Sequence, residues 1–526
     1  MDWTLHEIEL RNFKFFYDSF RFHLGGKHIL LYGENGSGKS SIVWGLYTLM
    51  ESRRKHIPEV QKYFNPTHDQ HLRNRYSQPG EISFIKVLFE SAVPGSLPKQ
   101  YEVSATNITT QAAGDNFIKL TTAAFDMFNY RMLEEWIYKK NSRSIDLFPG
   151  FEKDLEEFVG QNKRVVALSA GTAAVHLGLL ACGVGPGDEV CVQSFTFCAS
   201  SHPITYLGAT PVFIDSERET WNMDPELLEV AIKDRIAKTG KKPKAIVPVA
   251  LYGMPYKADK IMEIANKYDI PVVEDAAEGF GSRFNGQVLG TFGKYGVLSF
   301  NGNKMITTSG GGALITANED EWREIMMYAT QYRESYPYYQ HEKIGYNYRM
   351  SNICAGIGRG QMTVANDHIA HHKHVQKLYE ELLKDVPGVH VHSQPATGEY
   401  DSNYWLCTIT IDPDLKIKGQ ANAYKAIVTG AVGGAAGVIH VADSATTDCQ
   451  PNDNVEALRV FMDAAGIEAR PVWKPMHKQP VHKNAPAYVN GVSEAMFKIG
   501  MCLPAGPYVS DEDVRYIVET IKSAIV

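Results

Sequence analysis

The run Ser299-Phe-Asn-Gly-Asn-Lys304-Met-Ile-Thr-Thr-Ser-Gly-Gly-Gly312 decides how the larger part of this 526-residue chain is read. It sets one lysine between the end of an apolar stretch and a glycine-rich turn. Upstream stand Pro271-Val-Val-Glu-Asp275, an apolar run ending in acid, and Ser169-Ala-Gly-Thr172, a small-residue turn ahead of a helix-compatible segment. A lysine can hold an aldehyde cofactor as a Schiff base. An aspartate can keep a pyridine nitrogen protonated, and a Gly-Thr turn opening a helix can bind a phosphate. Together the three pieces describe a pocket for pyridoxal 5'-phosphate, with Lys304 and Asp275 catalytic. A lone lysine reads as a surface charge; the turn after it and the acid before it reverse that reading.

Working outward, short β-branched runs alternate with helical segments from Arg164 onward: Val165-Val-Ala-Leu168, Glu189-Val-Cys-Val192, Pro211-Val-Phe-Ile214, Ala245-Ile-Val-Pro-Val249 and Gly296-Val-Leu-Ser-Phe300. Such alternation predicts a mostly parallel sheet flanked by helices, with ligands at the carboxyl ends of its strands. The Ser-Ala-Gly-Thr turn, Asp275 and Ser299 all fall at such ends. Beyond residue 390 the pattern mixes, with Tyr404-Trp-Leu-Cys-Thr-Ile-Thr-Ile411 as a strand and a final helix around Asp511 to Ile525. A smaller α+β lobe is expected there. The expected domains are 1–150, 151–390 and 391–526.

The first third follows a different grammar. Leu5-His-Glu-Ile-Glu-Leu-Arg-Asn-Phe-Lys-Phe-Phe16 alternates like a strand, and His28-Ile-Leu-Leu-Tyr32 reads as a buried one. Gly33-Glu-Asn-Gly-Ser-Gly-Lys-Ser-Ser41 then matches the GxxxxGK[ST] pattern, with a helix-compatible run to Met50 after it. Gly33, Gly36 and Gly38 free backbone amides to face a phosphate, Lys39 can reach the β/γ oxygens of ATP, and Ser40 can ligate Mg²⁺, with Ser41 beside it. A glycine-rich turn that binds nothing is the alternative. These residues resemble the N-terminal lobe of AAA and RecF/structural-maintenance-of-chromosomes ATPases, up to about Phe148. Hydrolysis needs a carboxylate for Mg²⁺, which those ATPases carry in a later lobe. The nearest strings here, ending at Asp215 and Asp275, are explained by the second unit. ATP hydrolysis is therefore not expected.

Composition sets the outer limits. An apolar content of 44%, a charged content of 21% and a net charge of -7 fit a globular protein of small-molecule chemistry and give no global electrostatic case for nucleic acid. The seven cysteines form no CxxC pair, so neither a disulfide framework nor a zinc site is suggested. The start carries an acid where a signal peptide would be basic, and the apolar stretch Ala426 to Ala442 is broken by glycines. A cytoplasmic protein with no membrane span is expected, that stretch being read as a buried strand-loop insertion. His368, His371, His372 and His374 lack a convergent carboxylate and read as an exposed helix rather than a metal site.

On the residues around Lys304, the chain over about 151–526 resembles the DegT/StrS family of sugar aminotransferases, fold type I pyridoxal-phosphate enzymes with a large α/β and a small α+β domain. The resemblance implies a phosphate turn at Gly171 and Thr172, a ring-stacking aromatic at Phe197, a phosphate-binding serine at Ser299 and the Schiff-base lysine at Lys304. Phe197 also reads as a core aromatic. Ile344-Gly-Tyr-Asn-Tyr-Arg-Met-Ser-Asn352 resembles the stretch whose asparagine, here Asn347, reaches a partner's cofactor phosphate, which implies a homodimer with shared sites. Glu278 sits where relatives carry Gln, His or Glu, and Glu resembles enzymes that aminate C4 of a nucleotide-linked 4-keto-6-deoxy sugar. Arg470-Pro-Val-Trp-Lys-Pro-Met-His477 looks like the family's substrate segment, with Arg470, Lys474 and His477 as contacts. A solvated basic loop reads equally well for the first two. Two departures stand out: Ala250 precedes Leu-Tyr-Gly where many relatives have His or Asp, and the ATPase-like fragment stands in place of the leader that helps close the neighbouring site.

The resemblance thus implies transfer of an amino group, with glutamate as donor, to a nucleotide sugar for surface-glycan synthesis. One rival is an ATP-binding or DNA-associated module whose aminotransferase half is inert or regulatory. A dehydratase of the same fold is the other, and its relatives replace the Schiff-base lysine by histidine.

Overall fold

The computed structural model describes the chain apart from residues 1–2, 15, 24–44, 47, 50–51, 53–55, 66, 69–70, 75, 79, 92–95, 112–146 and 420–448. The glycine-rich loop at 33–41, the strand expected at 28–32 and the insertion expected at 426–442 lie outside the described residues. The chain divides into two compact units, Met1–Ile145 and Asp146–Val526.

In the first unit, β1 (Trp3–Phe13), β2 (Phe16–His23), β3 (Phe84–Ser91) and β4 (Lys99–Ser104) form an antiparallel sheet in the order β2-β1-β3-β4. Period-two patterning puts Ile8, Leu10, Ile85, Val87 and Val103 into one core with Val60 and Phe64. The single strand expected over residues 5–16 is instead split in two. Asn12 and Lys14 adopt φ of 46° and 48°, which reverses the chain between the two aromatic ends of that run.

The second unit is built on β5 (Arg164–Leu168), β6 (Glu189–Gln193), β7 (Thr210–Ile214), β8 (Ala245–Val247) and β9 (Val273–Asp275). Then come β10 (Arg283–Phe284), β11 (Gln287–Val288), β12 (Tyr295–Ser299) and β13 (Gly312–Thr316). The ladders β5-β13-β12-β9 and β8-β6-β7 are joined by parallel bridges from Ile246 to Val272 and from Val249 to Asp275. Neighbours run parallel except at β13, which is antiparallel to both β12 and β5. The connection over 300–311 holds no helix, and only an antiparallel pair can be joined that way. In the sequence pattern this return shows only as a turn, which leaves β13 unforeseen. It carries Lys304.

The second lobe contains β14 (Val389–Val391), β15 (Tyr400–Asp401), β16 (Cys407–Ile411), β17 (Arg470–Pro471), β18 (Ala487–Tyr488) and β19 (Gly500–Leu503). The order β14-β16-β19-β17 is antiparallel, whereas β18 joins the large sheet beside β7, and β15 pairs with β10. Helices Ala365–Leu383, Asp453–Ala464 and Asp511–Ala524 cover the small sheet over a core that includes Tyr379, Ile409, Leu458, Met462 and Ile521. The strand expected from Tyr404 starts only at Cys407, because Tyr404 takes φ of 48° and turns the chain first. The histidine-bearing helix is not exposed throughout. His372 is buried and its Nδ1 lies 3.0 Å from the Tyr404 carbonyl oxygen, on the face that packs inward. No metal-holding cluster of three or more such side chains is found among the described residues.

Candidate active site

A cavity of about 290 Å³ opens at the carboxyl ends of β5, β9 and β12. Ser169, Gly171, Thr172, Phe197, Asp275, Glu278, Ser299 and Lys304 all line it. Three of the sequence runs therefore meet at one place. The glycine run explains how they come so close. A Cβ on Gly312 would stand 2.4 Å from the Ala170 carbonyl carbon and the Gly171 nitrogen, and one on Gly171 would stand 3.0 Å from Ser299 Cβ. The helix Gly171–Ala181 starts at this contact, and no side chain caps it at Ala170. Its first residues, whose amides have no partner within the helix, border the cavity.

Asp275 and Glu278 supply the negative charge. Asp275 is buried, accepts a hydrogen bond from Ser200 Oγ at 2.6 Å and another from the Ala277 amide at 3.2 Å. Burial raises its carboxyl above the usual carboxylate value, against the opposing pull of Ser200, Ala277 and Lys304. Glu278 is also raised by burial, opposed first by Lys304 and then by the Tyr252 amide, which donates to Oε2 at 2.7 Å. Tyr252 aims that amide from a left-handed conformation, φ 56° and ψ 16°. Lys304 Nζ lies 3.6 Å from Glu278 Oε1, both side chains being largely buried. The amine thus sits beside a buried carboxylate.

Aromatic side chains form the walls. Phe197 is half-exposed at the edge, 49% accessible, with its ring 5.4 Å from that of Trp473. Trp405 lies over Lys304 Nζ at 3.9 Å. Of the predicted substrate segment, Lys474 lines an adjoining cavity of about 260 Å³ that shares Thr196, Phe197 and Trp473 with the first. Arg470 lines neither cavity and pairs with Glu468 at 2.7 Å. His477 turns inward, its Nδ1 2.7 Å from Ser194 Oγ and its Nε2 3.3 Å from Glu494. Asn347 is exposed and lies outside the cavity of its own chain. No local sequence signal singles out Ser200, Trp405 or Asn403, which reach the site by packing rather than through a motif. Asp215 is engaged elsewhere, accepting from the Asn490, Gly491 and Ser493 amides.

The donor set fits a flat, phosphate-bearing aldehyde cofactor. Uncapped amides with Ser299 suit the phosphate, Asp275 suits a protonated ring nitrogen, Lys304 suits the aldehyde carbon, and Phe197 offers an aromatic face. Fold and cavity define a pyridoxal-phosphate-dependent aminotransferase of fold type I. Residues 132–432 and 438–522 match the DegT/DnrJ/EryC1/StrS aminotransferase family, and the chain belongs to it. Residues 7–163 match the AAA domain family.

Among relatives, the EpsN protein of Bacillus subtilis (strain 168), whose name assigns it provisionally to the pyridoxal phosphate-dependent aminotransferases, is 39% identical over 379 residues, 71% of this chain and 87% of its own. A GDP-perosamine synthase of Escherichia coli O157:H7 is 33% identical over 70% of this chain and 88% of its own. The crystal structure of a DegT DnrJ EryC1 StrS aminotransferase from Brucella abortus superposes with a TM-score of 0.63 at 26% identity, covering 78% of this chain and 98% of that one. Among the described residues, no helix is long and apolar enough to cross a membrane.

Proposed function

We propose that the second unit moves an amino group from glutamate to C4 of a nucleotide-diphosphate 4-keto-6-deoxy sugar, as a step in surface-glycan synthesis in the cytoplasm. The observation that carries this reading is the pairing of Lys304 with Glu278 at 3.6 Å inside the cavity that Asp275 also lines. The relatives named GDP-perosamine synthase support a nucleotide-sugar substrate. When bound, pyridoxal phosphate supplies an electron sink and carries the amino group between donor and acceptor.

In this reading the chain's own groups divide the work. Gly171, Thr172 and Ser299 would hold the phosphate, and Asp275, oriented by Ser200, would keep the ring nitrogen protonated. Phe197 would cover the ring and exclude water. Lys304, as a free amine, would be placed to take a proton from one substrate carbon and return it to another. Glu278 holds the ammonium near the acceptor sugar. Lys474 meets the diphosphate from the adjoining cavity, while Arg470 and His477, engaged with Glu468 and with Ser194 and Glu494, contribute only after rearrangement. Exposed Asn347 would reach the cofactor phosphate of a second copy in a homodimer with shared sites.

The test incubates the protein with glutamate and either 4-keto or 3-keto nucleotide sugars. Product from the 4-keto sugar alone is expected; preferential turnover of the 3-keto sugar overturns the C4 assignment. For the first unit we propose nucleotide binding without hydrolysis: Lys39 and Ser40 are present, and no Mg²⁺ carboxylate of the ATPase type is assigned. Phosphate release that disappears on Lys39→Ala would overturn this.

A further inference from the structure

Trp405 belongs to the small lobe, one turn ahead of β16, yet its side chain is 3% exposed and lines the cavity. Its indole makes two contacts with the lysine loop. The ring face lies 3.9 Å from Lys304 Nζ, and Nε1–H donates to the carbonyl of Asn303, the residue before the lysine, at 2.7 Å. Trp405 is itself tied back to the wall of the site. Its amide donates to Asn403 Oδ1 at 2.8 Å, while Asn403 Nδ2 donates to the carbonyls of Glu278 and Phe280, each at 2.9 Å. Only a glycine lets Asn403 in, since a Cβ on Gly253 would stand 1.8 Å from Asn403 Oδ1. One frame therefore fixes the positions of Glu278, the Lys304 loop and the indole together.

We propose that Trp405 is a positioning residue that parks the free Lys304 amine between the indole face and the Glu278 carboxylate, where the proton it takes is retained. An indole face attracts a cation more strongly than any other aromatic ring, and more so when water is excluded. The charged side chains lining the cavity beside Lys304 are Asp275 and Glu278, with Tyr252 and Cys502 standing behind Glu278. Each time the lysine is freed, Trp405 keeps it from swinging away and holds the proton it has taken until the acceptor carbon is ready. The inference rests on Lys304 being the residue that binds the cofactor covalently.

The experiment loads the full chain with pyridoxamine phosphate, which leaves the Lys304 amine free, and reads the pH dependence of its acylation by mass spectrometry of the Lys304 peptide. Replacing Trp405 by 5,6,7-trifluorotryptophan keeps the shape and the N–H but strips the negative ring face. The acylation midpoint should fall by about half a pH unit, and by about one unit in Trp405→Leu. In the leucine variant kcat should drop about tenfold while KM for the keto sugar stays within about twofold. A midpoint unchanged by trifluorotryptophan overturns the proposal, even where the leucine variant fails to fold. Failure of borohydride to fix pyridoxal phosphate on Lys304 of the parent chain would instead overturn the assignment on which it rests.

Discussion

Ser200 donates its hydroxyl hydrogen to Asp275 across 2.6 Å, and both side chains are buried. The bond orients the carboxylate that would face the ring nitrogen and lowers the cost of keeping it charged. Asp275→Asn keeps the shape and removes the charge. It should cut kcat by about 10² or more while cofactor stays bound, as read by steady-state kinetics and by absorbance of the bound cofactor. Equal losses of rate and cofactor would assign Asp275 a binding role only.

Lys304→Ala should abolish transamination and the borohydride-reducible link between protein and cofactor. Fixation at parental stoichiometry in this variant would place the link on another lysine.

Glu278→Gln tests the electrostatics of the site before cofactor is added. Burial raises the folded-state value of Glu278 above its reference of 4.5, so the folded chain binds more protons than the unfolded one above that pH. Parental stability is therefore lost as pH rises from about 4.5 through the raised value, and a glutamine escapes that loss. The difference in Tm between Glu278→Gln and parent, both free of cofactor, should be more positive at pH 8 than at pH 5. A difference that shrinks over that range would mean that the Lys304 contact outweighs burial.

Gly312→Ala forces a methyl to within 2.4 Å of the Ala170–Gly171 peptide unless the backbone shifts. Overpacking of this kind costs about 1–3 kcal/mol. The variant should unfold at lower denaturant and bind inorganic phosphate or cofactor more weakly, since the displaced peptide starts the helix that borders the cavity. Unaltered denaturation and affinity would show that β13 gives way freely.

Much of this site is legible in the sequence because its chemistry demands particular residue types at turns. A lysine after a strand, an acid at the end of an apolar run and a small-residue turn before a helix each carry a local signature, and Lys304, Asp275 and Gly171 share the cavity. Trp405 and Ser200 carry none. They come from 101 residues after Lys304 and 75 before Asp275, brought in by packing of lobes and strands. Arg470 shows the converse limit: a segment can be recognisable while the direction of one side chain, here toward Glu468, is decided by its neighbours. The split of the first strand at Lys14 is hidden for a similar reason, since aromatic alternation continues across a reversal that only φ reveals. His372 escapes the pattern because a histidine beside His368, His371 and His374 reads as polar, although it shares the buried face of its helix with Ile369, Val375, Gln376 and Tyr379.

Leu168, Gly312 and Ser299 stand in one row across β5, β13 and β12. Because the middle member has no side chain, the turn that follows Leu168 folds over it and meets Ser299, closing a gap of two inter-strand steps, about 10 Å. Strand register then acts as a jig that holds Ser299 against the start of the helix Gly171–Ala181. Such a jig decouples two parts of the chemistry. Under the proposed assignment, change in the small lobe can retune which sugar enters while the contact of Ser299 with Gly171 stays fixed by the sheet.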